Sequence, residues 1–137
     1  MSNPITARCH CGALQVRLAR VADERHMCCC SDCQRRTGAP GSVSWYYDAE
    51  DLLGVSGAYG TFERVGTRGT RYAFHFCLGC GSNVFWRVAG SGAVGVAAAC
   101  VPAEHHAAPM DVVGAPSRPA WFEPPRDIAW YEKGTSS

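Results

Sequence analysis

The sequence has no long apolar run. Its longest weakly polar stretch, AVGVAAACVPA from Ala93 to Ala103, falls far short of the ~20 residues that span a bilayer as a helix. Charge of one sign is also missing. Thirteen Lys and Arg face twelve Asp and Glu, a formal charge of +1, so neither a basic face for nucleic acid nor an acidic tail is expected. The opening residues, MSNPITARCHCG, show no charged segment leading into an apolar one, which argues against a signal peptide. Sustained 3.6-residue periodicity is absent, and there are no internal repeats. The expectation is a cytoplasmic protein with neither a membrane nor a nucleic-acid partner. A length of 137 residues suits one domain over 1–137, able to bury roughly two-thirds of its unfolded surface without disulfide staples.

Short strands separated by glycine-bearing turns fill most of the chain. ALQVRL (Ala13–Leu18) alternates strictly, with Leu14, Val16 and Leu18 on one face. Further strands are expected over Ser42–Tyr47, Thr61–Val65, Thr70–Phe76, Asn83–Val88 and Ala93–Ala99. One short helix is expected at Ser31–Thr37, with Ser31 as its N-cap and Gly38 ending it. Six of the eight prolines follow Val101, so the tail, about 102–137, is expected to pack on the surface in extended form. The predicted fold class is all-β, a small domain of two or more short antiparallel sheets.

Nine cysteines stand against this plain background. A reducing compartment disfavours disulfides, and an odd number leaves one thiol over in any full pairing. Metal binding is the expected use. Cys77 and Cys80 form a C-x-x-C knuckle followed by Gly81, where a tight turn often needs positive φ. Two sulfurs need two more. Cys9 and Cys11 supply them if C-x-C is extended and His10 points away. Four thiolates from two distant pairs make a closed, structural zinc site. Cys28, Cys30 and Cys33 form C-x-C-x-x-C, with Cys29 expected to point elsewhere. Three protein ligands leave a fourth position open, as in catalytic zinc; closure by His26 or Cys29 would make the site structural instead. Two zinc ions per chain are expected, the second being the more easily lost. Cys100 stands alone.

The three clusters, in this order, resemble the glutathione-dependent formaldehyde-activating enzymes and their relatives, centromere protein V among them. The matching runs are CHCGALQVRL, CCCSDCQRRTG and HFCLGCGSNVFWRV. The resemblance implies a β fold with two zinc sites, similar to the core of methionine-R-sulfoxide reductase B. It implies Cys9, Cys11, Cys77 and Cys80 as ligands of a structural ion. It implies Cys28, Cys30 and Cys33 as ligands of an open, catalytic one. The chain departs from the family pattern at Cys29, where histidine is usual, and at Gln34, where arginine is usual.

The family reaction joins a glutathione thiol to formaldehyde and gives S-hydroxymethylglutathione; its reverse is a carbon–sulfur lyase step. A zinc-dependent lyase acting on a thiol adduct is therefore the expected function, with a small-molecule thiol as partner. The alternative is a non-enzymatic zinc-binding interaction module, or a thiol and zinc redox sensor using Cys29 and Cys100. Arg35, Arg36, Arg68 and Arg71 are candidates for a carboxylate partner. His75 and His105 are weaker candidates for acid–base work. Trp45, Tyr46, Tyr47, Phe85 and Trp86 are expected in the core rather than at a substrate.

Overall fold

The computed structural model of the protein describes residues 3–66 and 68–132. Its strands are β1 (Ile5–Arg8), β2 (Gln15–Leu18), β3 (Glu24–Cys28), β4 (Ser42–Tyr47), β5 (Leu52–Ser56), β6 (Tyr59–Val65), β7 (Arg71–Cys77), β8 (Asn83–Val88), β9 (Val94–Ala97), β10 (Asp111–Val113) and β11 (Ala129–Trp130). Among the described residues there is one α-helix, α1 (Ser31–Thr37), with four one-turn 3-10 helices. No helix among the described residues is long and apolar enough to cross a membrane.

The strands form two sheets, as the all-β expectation requires. The smaller has the order β1-β2-β5 and the larger β11-β10-β3-β4-β9-β8-β7-β6. Alternation decides which faces meet. Val16 and Leu18 of β2 and Trp45 and Tyr47 of β4 point into one core with Phe85, Val94 and Val96. Burying each such side chain contributes about 1.5–3 kcal/mol before conformational entropy is charged against it. The intervening residues of the large sheet face the other way. Tyr72, Phe74, Trp86 and Val88 form a second apolar layer there, with Tyr46 packed against it.

Trp86 can lie across that layer because Gly95 stands directly opposite it on β9. A Cβ on Gly95 would come within 2.0 Å of the indole Nε1. The glycine in the strand therefore marks a close approach.

The proline-bearing tail does more than wrap the surface. It returns as β10, parallel to β3, with Asp111 opposite His26 and Val113 opposite Cys28. β11 then pairs with β10, also in parallel. The two short parallel pairings extend an otherwise antiparallel sheet. β3 itself carries no apolar alternation: Glu24, His26 and Cys28 form one face and only Met27 is fully buried on the other.

Helix α1 has the expected bounds, but its N-cap is Cys30 rather than Ser31. Cys30 is extended, and its sulfur accepts the Cys33 backbone N–H at 3.4 Å. The donor is one that a helix start leaves without an intrahelical partner. A sulfur that also belongs to the C-x-C-x-x-C run thus does the work assigned to a serine. Gly38 closes the helix, its N–H donating to the Gln34 carbonyl at 2.8 Å.

Candidate functional site

The first thiol cluster forms where the two sheets meet. Cys9 and Cys11 follow β1 of the small sheet; Cys77 ends β7 of the large one and Cys80 lies in the turn beyond it. Their four sulfurs lie within 4.8 Å of one another. Cys9 and Cys11 are 3.6 Å apart, and Cys11 and Cys77 3.7 Å. Four sulfurs held ~2.3 Å from a tetrahedral ion stand about 3.8 Å apart, so the spacing and the donor set suit zinc. The C-x-C segment is not extended, however. The Gly12 N–H donates to the Cys9 carbonyl at 3.1 Å, closing a turn that still brings both sulfurs to one side and leaves His10 exposed. In the knuckle, Gly81 has φ 78° and donates to the Cys77 carbonyl, the conformation that the turn demands of it.

Backbone donors reach two of these sulfurs, and the Leu14 N–H draws Cys9 below the ordinary thiol range against the opposing effect of burial. Leu14 N–H approaches Cys9 Sγ at 3.2 Å, and Gly79 N–H approaches Cys77 Sγ at 3.3 Å. The Ser82 hydroxyl, 3.3 Å from Cys80 Sγ, holds that thiol down to about 5, with backbone donors assisting. The same hydroxyl accepts the His10 N–H, linking the two loops.

The second cluster is Cys28, Cys30 and Cys33, again with sulfurs within 4.8 Å. Cys28 ends β3, Cys30 caps α1, and Cys33 occupies the first turn of the helix. Hydrogen bonds from Cys28 and Cys30 hold Cys33 well below the ordinary thiol range, against the opposing effect of burial; Ser42 and Arg36 add to the lowering. Cys28, the partner that keeps its proton, is pushed up.

Neither proposed closing residue joins this cluster. Cys29 has no exposed surface and packs with Met27, Val112 and Ala115 on the opposite side of the strand. Alternation along the extended segment explains this. His26 shares the face of Cys28, but both of its ring nitrogens are engaged. Nδ1 lies 2.7 Å from Asp111 and Nε2 2.9 Å from Glu24.

The cluster opens onto a pocket of about 60 Å³, room for a few water-sized groups at ~10–15 Å³ each. Ser42, Ser44, Tyr46, Phe74 and Trp86 form much of its wall, and Arg36 and Arg64 reach into it. The expected aromatic core is therefore divided by strand alternation: Trp45, Tyr47 and Phe85 are buried between the sheets, while Tyr46 and Trp86 line the pocket. The arginine candidates divide as well. Arg36 faces the pocket, but Arg35, Arg68 and Arg71 are exposed outside its lining.

Arg64 was not among the candidates. It sits in ERV at the end of a strand, and only the pairing of Arg64 with Tyr72 on β7 turns it toward the cluster. His75 is buried with Nδ1 2.9 Å from the Thr61 hydroxyl, and burial pushes its pKa down. His105 lies in a 3-10 turn beside Glu104. Neither lines the pocket.

The sequence model described as glutathione-dependent formaldehyde-activating enzyme matches residues 4–113 of this chain. The chain belongs to this family. The matched segment of the glutathione-dependent formaldehyde-activating family holds both thiol clusters and ends with the last residue of β10. A crystal structure of a Rhodobacter sphaeroides protein is similar, at 25% identity and a TM-score of 0.52, with 91% of this chain and 98% of that one covered. No curated protein matches. Relative to the family pattern, Gln34 has a local structural use here: its side-chain amide donates to the carbonyls of Cys29 and Ser117, both at 2.8 Å, and joins the tail to the start of α1.

Proposed function

We propose that this member of the family is a zinc-dependent carbon–sulfur lyase-like enzyme acting on a thiol adduct, with glutathione and formaldehyde giving S-hydroxymethylglutathione as the reaction its family points to. The observation that carries this reading is the three-thiol cluster Cys28, Cys30 and Cys33, which faces a pocket and draws in neither Cys29 nor His26. Soft thiolate donors favour zinc there, as at Cys9, Cys11, Cys77 and Cys80. A zinc ion with an open position would hold an incoming thiol as its thiolate and polarise a carbonyl oxygen.

Three thiolates leave such a centre formally about −1, so thiolate handling is favoured over strong carbonyl activation. In the forward direction a sulfur lone pair forms the bond to the aldehyde carbon. The carbonyl π pair moves to oxygen, and the proton lost from sulfur ends on that oxygen. The chain's own groups orient and enclose. Ser42 and Ser44 place buried hydroxyls beside the thiols, and the faces of Trp86 and Phe74 limit water. A sensor using spare thiols finds less support, because burial pushes Cys29 up and Cys100 up to about 11.

The test is the rate of exchange between glutathione, formaldehyde and S-hydroxymethylglutathione, followed by NMR on metal-replete protein. The wild type is expected to accelerate it and Cys33→Ser to lose the acceleration. No acceleration over the protein-free rate by the wild type sinks the reading.

A further inference from the structure

The pocket beside the open cluster holds two guanidinium groups that sequence spacing does not bring together. Arg36 comes from α1 and Arg64 from β6, the edge strand of the large sheet. The Arg36 guanidinium carbon lies 4.5 Å from the centre of the Phe74 ring and 4.8 Å from that of Trp86. The Arg64 carbon lies 5.3 Å from Tyr72 and 5.4 Å from Phe74. Both cations lie near the Phe74 ring, so they stand no more than about 10 Å apart. Aromatic packing keeps them out of bulk water, in a medium of lower dielectric that strengthens the repulsion between like charges.

Their partners in the chain leave donors over. Arg64 uses one terminal nitrogen on Asp32 at 3.2 Å, and Asp32 is itself half exposed. Arg36 donates to the Asn83 side chain and approaches Cys33 Sγ at 4.0 Å. The Nε–H of each arginine is buried and without a hydrogen-bond partner. A guanidinium presents five donors in a fork that matches the two oxygens of a carboxylate. A buried donor left unpaired carries a desolvation cost that such an anion would remove.

We propose that Arg36 and Arg64 form a carboxylate-binding subsite beside the open thiol cluster, so that the preferred substrate is a thiol or thiol adduct with a carboxylate within a few bonds of sulfur. This rests on the thiol chemistry proposed for that cluster. The 4.0 Å approach of Arg36 to Cys33 sets the short reach, and both arginines and the three thiols line one pocket. A thiol of equal size without the carboxylate leaves the Nε–H of each arginine unpaired.

The test compares mercaptoacetate with mercaptoethanol on metal-replete protein by calorimetry, while NMR of isotope-labelled protein follows the arginine Nε–H signals. Mercaptoacetate is expected to bind at least about tenfold more tightly, the scale of one charge-assisted hydrogen bond, and to shift the Arg64 and Arg36 signals. Arg64→Gln, checked for an unchanged fold by circular dichroism, is expected to lose most of that preference. Arg64→Lys is expected to recover part of it, since charge returns without the fork. Equal affinity for the two thiols, no binding of either, or a preference that survives in folded Arg64→Gln overturns the subsite. Should Arg64→Gln not fold, the wild-type signals decide: no shift at either arginine on adding mercaptoacetate overturns it. Binding is read separately from turnover, so a carboxylate preference without adduct exchange would retain the subsite and remove the lyase reading.

Discussion

Replacing one cysteine in each cluster separates the two by what their loss does to the fold. In Cys77→Ser the lost ligand belongs to a group that joins the end of β1 in the small sheet to the end of β7 in the large one. Cys11 and Cys77 are 66 positions apart, whereas Cys28 and Cys33 are five apart. Loop-closure entropy grows as (3/2)RT ln n, so the longer link contributes about 2 kcal/mol more. For a chain of this length that difference alone is worth roughly 6–10 °C in melting temperature. Structural zinc adds to it, because binding coupled to folding contributes on the order of 10 kcal/mol in small zinc domains, against a net domain stability of ~5–15 kcal/mol. Cys77→Ser is therefore expected to be largely unfolded or insoluble. Cys33→Ser should remain folded with a modest drop in melting temperature and lose adduct exchange. Thermal melts and zinc content, measured on both variants side by side, provide the check. A collapsed Cys33→Ser beside a folded Cys77→Ser would reverse the two roles and remove the mechanism built on the open cluster.

Elemental analysis of freshly reduced protein is expected to find two zinc ions per chain; one or none, with oxidation of Cys28, Cys30 and Cys33 excluded, refutes a second site. Cys29→Ala should keep both ions and lose about 1 kcal/mol of stability, the cost of a small cavity in the layer formed by Met27, Val112 and Ala115; loss of zinc in that variant would mean that Cys29 is a ligand after all. Gly95→Ala places a methyl 2.0 Å from the Trp86 indole nitrogen, which should cost about 1–3 kcal/mol through overpacking and shift the NMR signals of Trp86 and Arg36; an unchanged melt and spectrum would show that the indole does not need that glycine.

Much of the site is local in the chain and could be read there. C-x-x-C brings two sulfurs together within a single turn, and the C-x-C-x-x-C run does so across a strand end and a helix start. Seven sulfurs in two groups followed from spacing and from resemblance to the family, and the groups are those seen. Helix α1 and strands β4 and β8 were also legible, because capping residues and aromatic or β-branched composition act over a few neighbours. Strand β3 was not legible. Its polar face is satisfied by Asp111 opposite His26 and by the pocket, not by apolar packing, so alternation carried no signal.

The sequence by itself determined the C-x-C, C-x-C-x-x-C and C-x-x-C motifs, the β class and the family, since each depends on residue types at short separations; the fold then joined Cys9 and Cys11 to Cys77 and Cys80 across 66 positions. Only the tertiary structure decided how those parts face one another. Register between β6 and β7 turned Arg64 toward the open cluster, and helix phase turned Arg36 inward while leaving Arg35 exposed. The parallel return of β10 brought Asp111 to His26 across 85 residues. In the large sheet, alternation sent Trp45 to the core and Tyr46 to the pocket, although the two are adjacent in the chain. The physical reason is common to the three that involve strands. Which of its two faces a strand buries, and which strand lies beside it, depends on contacts between residues far apart in sequence, whose energies appear only when the whole sheet is assembled.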